Sequence, residues 1–328
     1  MKQFSLGNAW SSGVAFVSRD AANMAILIIG LGVLAPAVLQ FVLVGNATGL
    51  MNNPAMLSQT AMGGGAGMLM GSLALAMLLS YILQLSSYFA AWRLGFGPGE
   101  TIGGAIVFGI ICAVIMIVAF VALIIVMAIV AQAGGAGAIL VLLVMIPLMV
   151  LFAVLYTVIM AAMAVLMFLV MLLMLAFGSS LGAMNPALAM TGGGAIGMLI
   201  GILIVVLLFW LAVRFSCTTS VMGDRKMFNL LNAMSESWRL TGPNQWRIMA
   251  YLGLIGVILC VGFFVVMMFV GASMMGGMGG GGVPQQPGIG MALIGLIFGI
   301  PFAYLVVMVP AGIYRELSHT RPAAEVFA

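Results

Sequence analysis

Residues 102–130 read IGGAIVFGIICAVIMIVAFVALIIVMAIV, 29 positions without one charged side chain. As a helix rising 1.5 Å per residue, such a run more than crosses the roughly 30 Å hydrocarbon core of a bilayer. The run is continuous and shows no two-residue alternation, so a membrane helix is expected rather than a barrel strand. It is also not isolated. Charge is absent from Ala21 to Trp92, from Thr101 to Val213 and from Ile248 to Tyr314. A charge at the centre of a bilayer helix costs at least ~2.5–3.5 kcal/mol, which is the pressure that empties a chain of charge over such lengths.

Composition agrees. Hydrophobic residues make up 65% of the 328, and charged residues 5%, whereas a soluble fold carries about a quarter charged. The expected class is an all-α polytopic bundle. Candidate spans are Ala22–Val44 (interrupted by Pro36), Ala66–Ala91, Ile102–Val130, Ala195–Val213, Ile248–Val270 and Ile289–Ala311. The apolar block 138–177 is too long for one upright helix, and one tilted or kinked helix and two spans both remain open for it. The first apolar run begins only behind Arg19 and Asp20, which is not the layout of a cleavable signal peptide.

Five of the ten basic residues lie between Arg214 and Arg247, so that segment is expected on the cytoplasmic side. If block 138–177 crosses an even number of times, all ten fall on that side, with both termini. An odd count would leave three outside, and the even count is preferred. An internal repeat supports it. Phe4-Ser5-Leu6-Gly7-Asn8-Ala9-Trp10-Ser11 matches Phe228-Asn229-Leu230-Leu231-Asn232-Ala233-Met234-Ser235 at five of eight positions. Each octet opens an amphipathic segment ahead of a span, with Leu6, Trp10, Val14 and Val17 as one stripe and Met227, Leu230, Leu231, Met234 and Trp238 as the other. Returning spans end alike, at Trp92-Arg93, Arg214-Phe215 and Tyr314-Arg315. The plan is three pseudo-repeats of interfacial helix plus helical hairpin within one membrane domain: 1–93, 94–216 with an apolar insert at about 138–177, and 217–317, followed by a tail, 318–328.

The longest polar segment, Asp224 to Arg247, reads as a helix capped by Asp224, ended by Gly242-Pro243 and restarted with Asn244 as cap. Indole rings favour the headgroup level and arginines pair with phosphates. Arg225, Lys226, Trp238, Arg239, Trp246 and Arg247 are therefore the candidate contacts to lipid headgroups or to a partner.

Within it, Ala233-Met234-Ser235-Glu236-Ser237-Trp238-Arg239-Leu240-Thr241-Gly242, then Asn244 and Trp246-Arg247, resembles the Ser-Trp-Arg-Leu-Thr-x-Gly-Asn-x-Trp-Arg signature of the glycerophosphoryl diester phosphodiesterase membrane-domain family and the related YciC-like inner-membrane proteins. Val213-Arg214-Phe215-Ser216 and Tyr314-Arg315-Glu316-Leu317 fit the same pattern. The likeness covers about Ala195 to Leu317, and Gly242-Pro243 replaces the usual pair after Thr241. It implies a six-span core and a bacterial inner membrane. It does not imply phosphodiesterase chemistry, which in the namesake enzymes belongs to a separate soluble domain.

Enzyme readings lack material. The only histidine, His319, lies in the tail, and no acidic residue lies within a span, so neither an acid/base pair nor a His/carboxylate metal set is expected in the membrane. Glu100 near Arg93, and Glu236 near Arg239, read as interfacial ion pairs. The three cysteines have no ligand spacing and read as packing residues. Met274-Met275-x-x-Met278 could suit Cu(I), but methionine as helix filler is the stronger reading. The glycine runs near 63, 192 and 279 lack the Lys and the strand of a phosphate loop, and Gly197-x-x-x-Gly201 is a candidate helix-packing face. No catalytic, cofactor or metal site is expected. The expectation is a non-enzymatic inner-membrane protein, a scaffold or lipid-associated factor, with membrane lipids, another membrane protein or a second copy as partners and no nucleic acid. A small-molecule transporter or channel is the alternative, motivated by the repeats and by Pro301 and Pro310.

Overall fold

The structure, a computed structural model, describes residues 3–42, 65–97, 99–131, 193–278 and 289–318. Block 138–177 lies outside them, as do the tail beyond Ser318, most of the glycine-rich loops and the side-chain environment of Gly197 and Gly201. Among the described residues the chain is helical, and six helices are long and apolar enough to cross a membrane. In chain order these residues form α1 (Leu6–Ser18), α2 (Ala21–Val42), α3 (Gly65–Phe96), α4 (Ile102–Ala131), α5 (Gly193–Phe215), α6 (Thr218–Arg225), α7 (Leu230–Thr241), α8 (Gln245–Met278) and α9 (Ile289–Ser318).

Several helices outrun the expected spans. Helix α3 continues beyond Arg93, because that guanidinium finds partners inside the protein. Helix α8 continues past Val270 through Met274, Met275 and Met278, where the sequence offered a loop. Helix α2 is not uniform: Ile26–Leu34 is a π-helix, and Ala35 N–H bonds Gly30 C=O five residues back. Pro36 explains its place. Proline donates no N–H and its ring crowds the carbonyl four residues earlier, and a wider turn just before it accommodates both.

The packed core occupies one half of the bundle. Trp92, Phe89, Phe16, Met24, Leu27, Met222, Ile248 and Leu252 are buried there, and Trp92 Nε1 donates to the Val307 carbonyl at 3.0 Å, joining α3 to α9. Towards the other end large apolar side chains point outward: Phe41 is 80% exposed, and Val38, Ile129, Leu203 and Met268 are also exposed. Such a surface is stable only in hydrocarbon. Close approach depends on small residues. A Cβ on Gly109 would strike the backbone of Ser86 and Ala90, so α4 meets α3 there.

Helix α1 is held against α9 in the same way. Ala9, Gly13 and Phe16 are its buried face, and a Cβ on Gly13 would lie 2.7 Å from the Met308 carbonyl oxygen. Of the expected stripe, Leu6, Trp10 and Val14 face outward, whereas Val17 packs against the core. Helix α7 repeats the arrangement in the same register. Ala233, Ser237 and Leu240 are buried; of the expected stripe, Leu231 and Trp238 are exposed, whereas Met227, Leu230 and Met234 pack against the core. The caps also correspond: Ser5 Oγ accepts from Asn8 N–H, and Asn229 Oδ1 accepts from Asn232 N–H. In the middle of the chain the connector 97–101 leads directly from α3 to α4 without such a helix.

Candidate functional site: a charged cap on the bundle

The fourth span is broken. Helix α5 ends at Phe215, Ser216-Cys217 turns, and α6 starts at Thr218, all of it buried. A break inside apolar surroundings must satisfy the backbone groups it frees. Helix α7 supplies the partners. Ser237 Oγ donates to the Arg214 carbonyl at 2.9 Å and accepts from Cys217 N–H at 3.2 Å. Thr241 Oγ1, one turn on, lies 3.2 Å from the Arg214 carbonyl and 2.9 Å from that of Ser237. Ser237 and Thr241 thus staple the break from one face of α7. Replacing Ser237 by Ala should lower stability by about 1–3 kcal/mol, because the buried Cys217 N–H loses its partner and the Arg214 carbonyl keeps only Thr241. Thermal unfolding in detergent checks it, with exposed Ser235→Ala as the variant expected to change nothing.

Arg214 itself turns back over α7. Its guanidinium donates to the Trp238 carbonyl at 3.3 Å and lies 4.6 Å above the Trp238 ring, and Trp210 meets Trp238 edge-on at 5.1 Å.

The far end of α6 is the centre of the cap. Arg93 donates to the carbonyls of Gly223 (3.2 Å) and Asp224 (3.3 Å), at the negative end of that helix. It also pairs with Glu100, through Nε at 2.8 Å and through a second, shorter bond. Lys226 closes α6 in the left-handed conformation, φ 53°, with its N–H on the Met222 carbonyl. Asp224 is therefore not the N-cap expected from the sequence. It sits in the last turn of α6, where its Oδ2 accepts from the Tyr314 hydroxyl at 2.7 Å, and Asn229 caps α7 instead. Asn244 does stand immediately before α8, at the position expected of its cap. It lies in the 3-10 turn Gly242–Asn244, and its Oδ1 accepts from Phe4 N–H at 3.3 Å.

The six candidate contact residues fall into two groups. Arg225 and Arg239 both pair with Glu236, at 3.1 and 3.0 Å, and the Arg239 side chain stays 69% exposed. Trp238 stands beside them on Arg214, and Lys226 forms the turn. At the start of α8, Trp246 is 69% exposed. Its neighbour Arg247 is occupied, donating to the Phe4 carbonyl at 3.1 Å and to Gln3 Oε1 at 2.6 Å. Arg247 therefore ties the N-terminal segment to the third hairpin. Sequence reasoning missed Ser237, Thr241, Arg93, Arg214 and Arg315 as builders of this cap. The pairs Arg93–Glu100 and Arg239–Glu236 were expected and are present, whereas the bonds of Arg93 and Arg214 to backbone carbonyls were not.

A shallow cavity opens where α1 meets α2 and the 97–100 connector. It measures about 220 Å³ and is lined by Phe16, Met24 and Leu94 below and by Arg19, Asp20 and Glu100 at its polar side. Arg315 is held nearby, its guanidinium 4.9 Å above the Phe16 ring and 5.6 Å from that of Phe96, with one bond to the Gly95 carbonyl at 3.4 Å. Within the cap, Arg93 joins Glu100 to the Asp224 carbonyl, and Glu236 joins Arg225 to Arg239. Helix α4 leaves this cap and α5 returns to it. Among the described residues no three His, Cys, Asp or Glu gather as a metal site. No protein-family model, curated protein or solved structure matches the chain.

Proposed function

We propose that this chain is a non-enzymatic, multi-pass protein of a bacterial inner membrane whose charged cap faces the cytoplasm and engages anionic lipid. One observation carries the reading: the cap presents exposed cationic and indole side chains together, Arg239 and Trp246 each 69% exposed, beside a bundle whose outer surface is apolar. Helices α4 and α5, running away from and back to the cap, support an even number of crossings between them. The Ser237 to Arg247 signature, with its staple and stacked Trp238, supports kinship with the glycerophosphodiesterase membrane-domain family. A scaffold role is the form this reading takes if the cap's occupant is another membrane protein.

The test uses Arg239→Gln with Trp246→Ala, which leave the N-terminal tie through Arg247 intact. Each basic side chain near an anionic surface contributes about 1 kcal/mol. Native mass spectrometry in mixed micelles should show phosphatidylglycerol retention about fivefold lower, with unchanged insertion. Equal retention would refute the lipid reading.

A transporter reading is favoured by a different feature, the break at Ser216-Cys217. Thr218 Oγ1 and Ser220 Oγ are buried there without a partner, as broken helices at transport sites often are. Cys217 reports on it directly. In a variant lacking Cys112 and Cys260, a water-soluble thiosulfonate should leave Cys217 unmodified if the bundle is solid, and rapid modification would establish a water-filled path.

A further inference from the structure

We infer that α2 and α9 share a hinge at mid-membrane depth, about which their far halves swing to admit water to a polar stripe on α3. This goes beyond both readings of the cap and rests on neither. Each of the two helices is interrupted by proline. In α2 the interruption is the π-helix Ile26–Leu34, which ends just before Pro36, and in α9 it is Pro301. Proline withholds one N–H and crowds the carbonyl four residues earlier, so each helix lacks a stiffening bond at that level. The two levels adjoin. A Cβ on Gly299 would lie 3.8 Å from Val33, so α9 just before Pro301 meets α2 just before Pro36. Val33 lies about a dozen residues into α2, roughly half the ~30 Å hydrocarbon core at ~1.5 Å per residue. Pro310, the other proline of α9, is clamped in the packed half among buried Val306, Val307, Val309 and Ala311.

Packing changes at the same level. On the cap side Leu27, Ile28 and Gly32 of α2 and Ala303 and Val306 of α9 are buried. Beyond it Val38 of α2 and Ile297 and Phe298 of α9 are exposed. Helix α3 is the fixed member, because it runs through this level with no proline. Its face towards α2 is marked by Ser87, whose hydroxyl a Cβ on Gly32 would strike. Ser80 lies two turns away on that same face, on the far side of the hinge. It is buried, yet its hydroxyl has no partner among the described residues. Gln84 stands between the two serines, and its Nε2 donates to the Tyr88 hydroxyl at 3.2 Å. A buried hydroxyl without a partner is costly, and a second state that hydrates it offsets the cost. Swinging residues 36–42 of α2 and 289–300 of α9 off α3 is such a state. It bends each helix where a bond is already missing, leaves the packed half intact and moves no charged residue through the apolar layer.

The test uses the full chain in lipid nanodiscs, with Cys112, Cys217 and Cys260 replaced by Ala. Ser80→Cys and, separately, Ser87→Cys are reacted with a small water-soluble thiosulfonate. Ser80→Cys should be modified, and Ser87→Cys, on the cap side, should stay protected. Pro36→Ala and Pro301→Ala restore the missing N–H. Each should slow modification of Ser80→Cys about tenfold or more, by depopulating a minor open state. Pro310→Ala should not slow it. An inert Ser80→Cys overturns the hinge, as does one that reacts as fast with both Pro36 and Pro301 replaced. Equal reaction of Ser87→Cys would mean that the seam opens along its whole length, and equal slowing by Pro310→Ala that bending is not confined to this level. Either result refutes the hinge placed here. None of these outcomes alters the lipid test at Arg239 and Trp246, so the two can fail separately.

Discussion

Arg93→Ala should destabilise the protein by about 3–5 kcal/mol, the cost of stripping one partner from a mostly buried ion pair. The side chains of Arg93 and Glu100 are only 12% and 15% exposed. Without the guanidinium, Glu100 is left charged in that setting, and the Gly223 and Asp224 carbonyls at the end of α6 lose their donor. The effect should reach beyond the pair. Helix α6 packs on α3 so closely that a Cβ on Gly223 would lie 2.8 Å from the Trp92 Cβ. Its release would loosen the joint between the second and fourth spans. Equilibrium unfolding in mixed micelles measures the loss, and Arg93→Met combined with Glu100→Leu should recover part of it, because an apolar pair leaves no stranded charge. A loss below about 1 kcal/mol for Arg93→Ala would place the pair in the range of solvated surface bridges.

Gly312→Val should detach α1 from the bundle. The added side chain would strike the Ala9 carbonyl and the Gly13 nitrogen, backbone atoms that no rotamer change can move aside. Overpacking alone typically costs ~1–3 kcal/mol. Here the cheaper escape is for α1 to leave, which gives up the burial of Ala9, Gly13 and Phe16 and the bond from Asn8 Nδ2 to Glu316. Amide hydrogen exchange should then show protection lost over residues 6–18 and kept in α9. Gly7→Val is the comparison, since nothing lies within 4 Å of a Cβ there, and it should leave exchange unaltered. Protection of α1 in Gly312→Val would mean that the helix is held chiefly by its other contacts.

The spans were readable in the sequence because the bilayer imposes one simple rule, length without charge. Which faces meet was harder to read. In a soluble helix the stripe Leu6, Trp10, Val14 would point to the core. Here it points out and Ala9-Gly13 points in, because lipid is as apolar as leucine and helices meet where they are thin. The octet repeat was legible, and its caps and buried registers coincide in α1 and α7. Helix ends were less so. Asp224 and Asn229 are both good caps, and only the left-handed turn at Lys226 decides between them. The local ion pairs Arg93–Glu100 and Arg239–Glu236 were legible, but the long-range partners of the arginines were not. Arg93 reaches Gly223 and Arg247 reaches Phe4, separations that no local pattern encodes. The Ser237–Thr241 staple stood in the quoted signature without a visible purpose, since the break it satisfies lies about 20 residues earlier.

The central claim is that the charged cap, and with it both ends of the chain, lies on the cytoplasmic side of a bundle that has six spans among the described residues. In a cysteine-free background, single cysteines at Ser11 and Arg225, both exposed on the cap, and at Asn53 and Gln286, which the topology expected from the sequence puts on the opposite side, can be labelled in intact cells with a membrane-impermeant maleimide. The account predicts labelling of 53 and 286 in intact cells, and labelling of 11 and 225 only after permeabilisation. Labelling of 11 in intact cells, with 225 protected, would contradict it by placing the N-terminal helix outside and an odd number of crossings between α4 and α5.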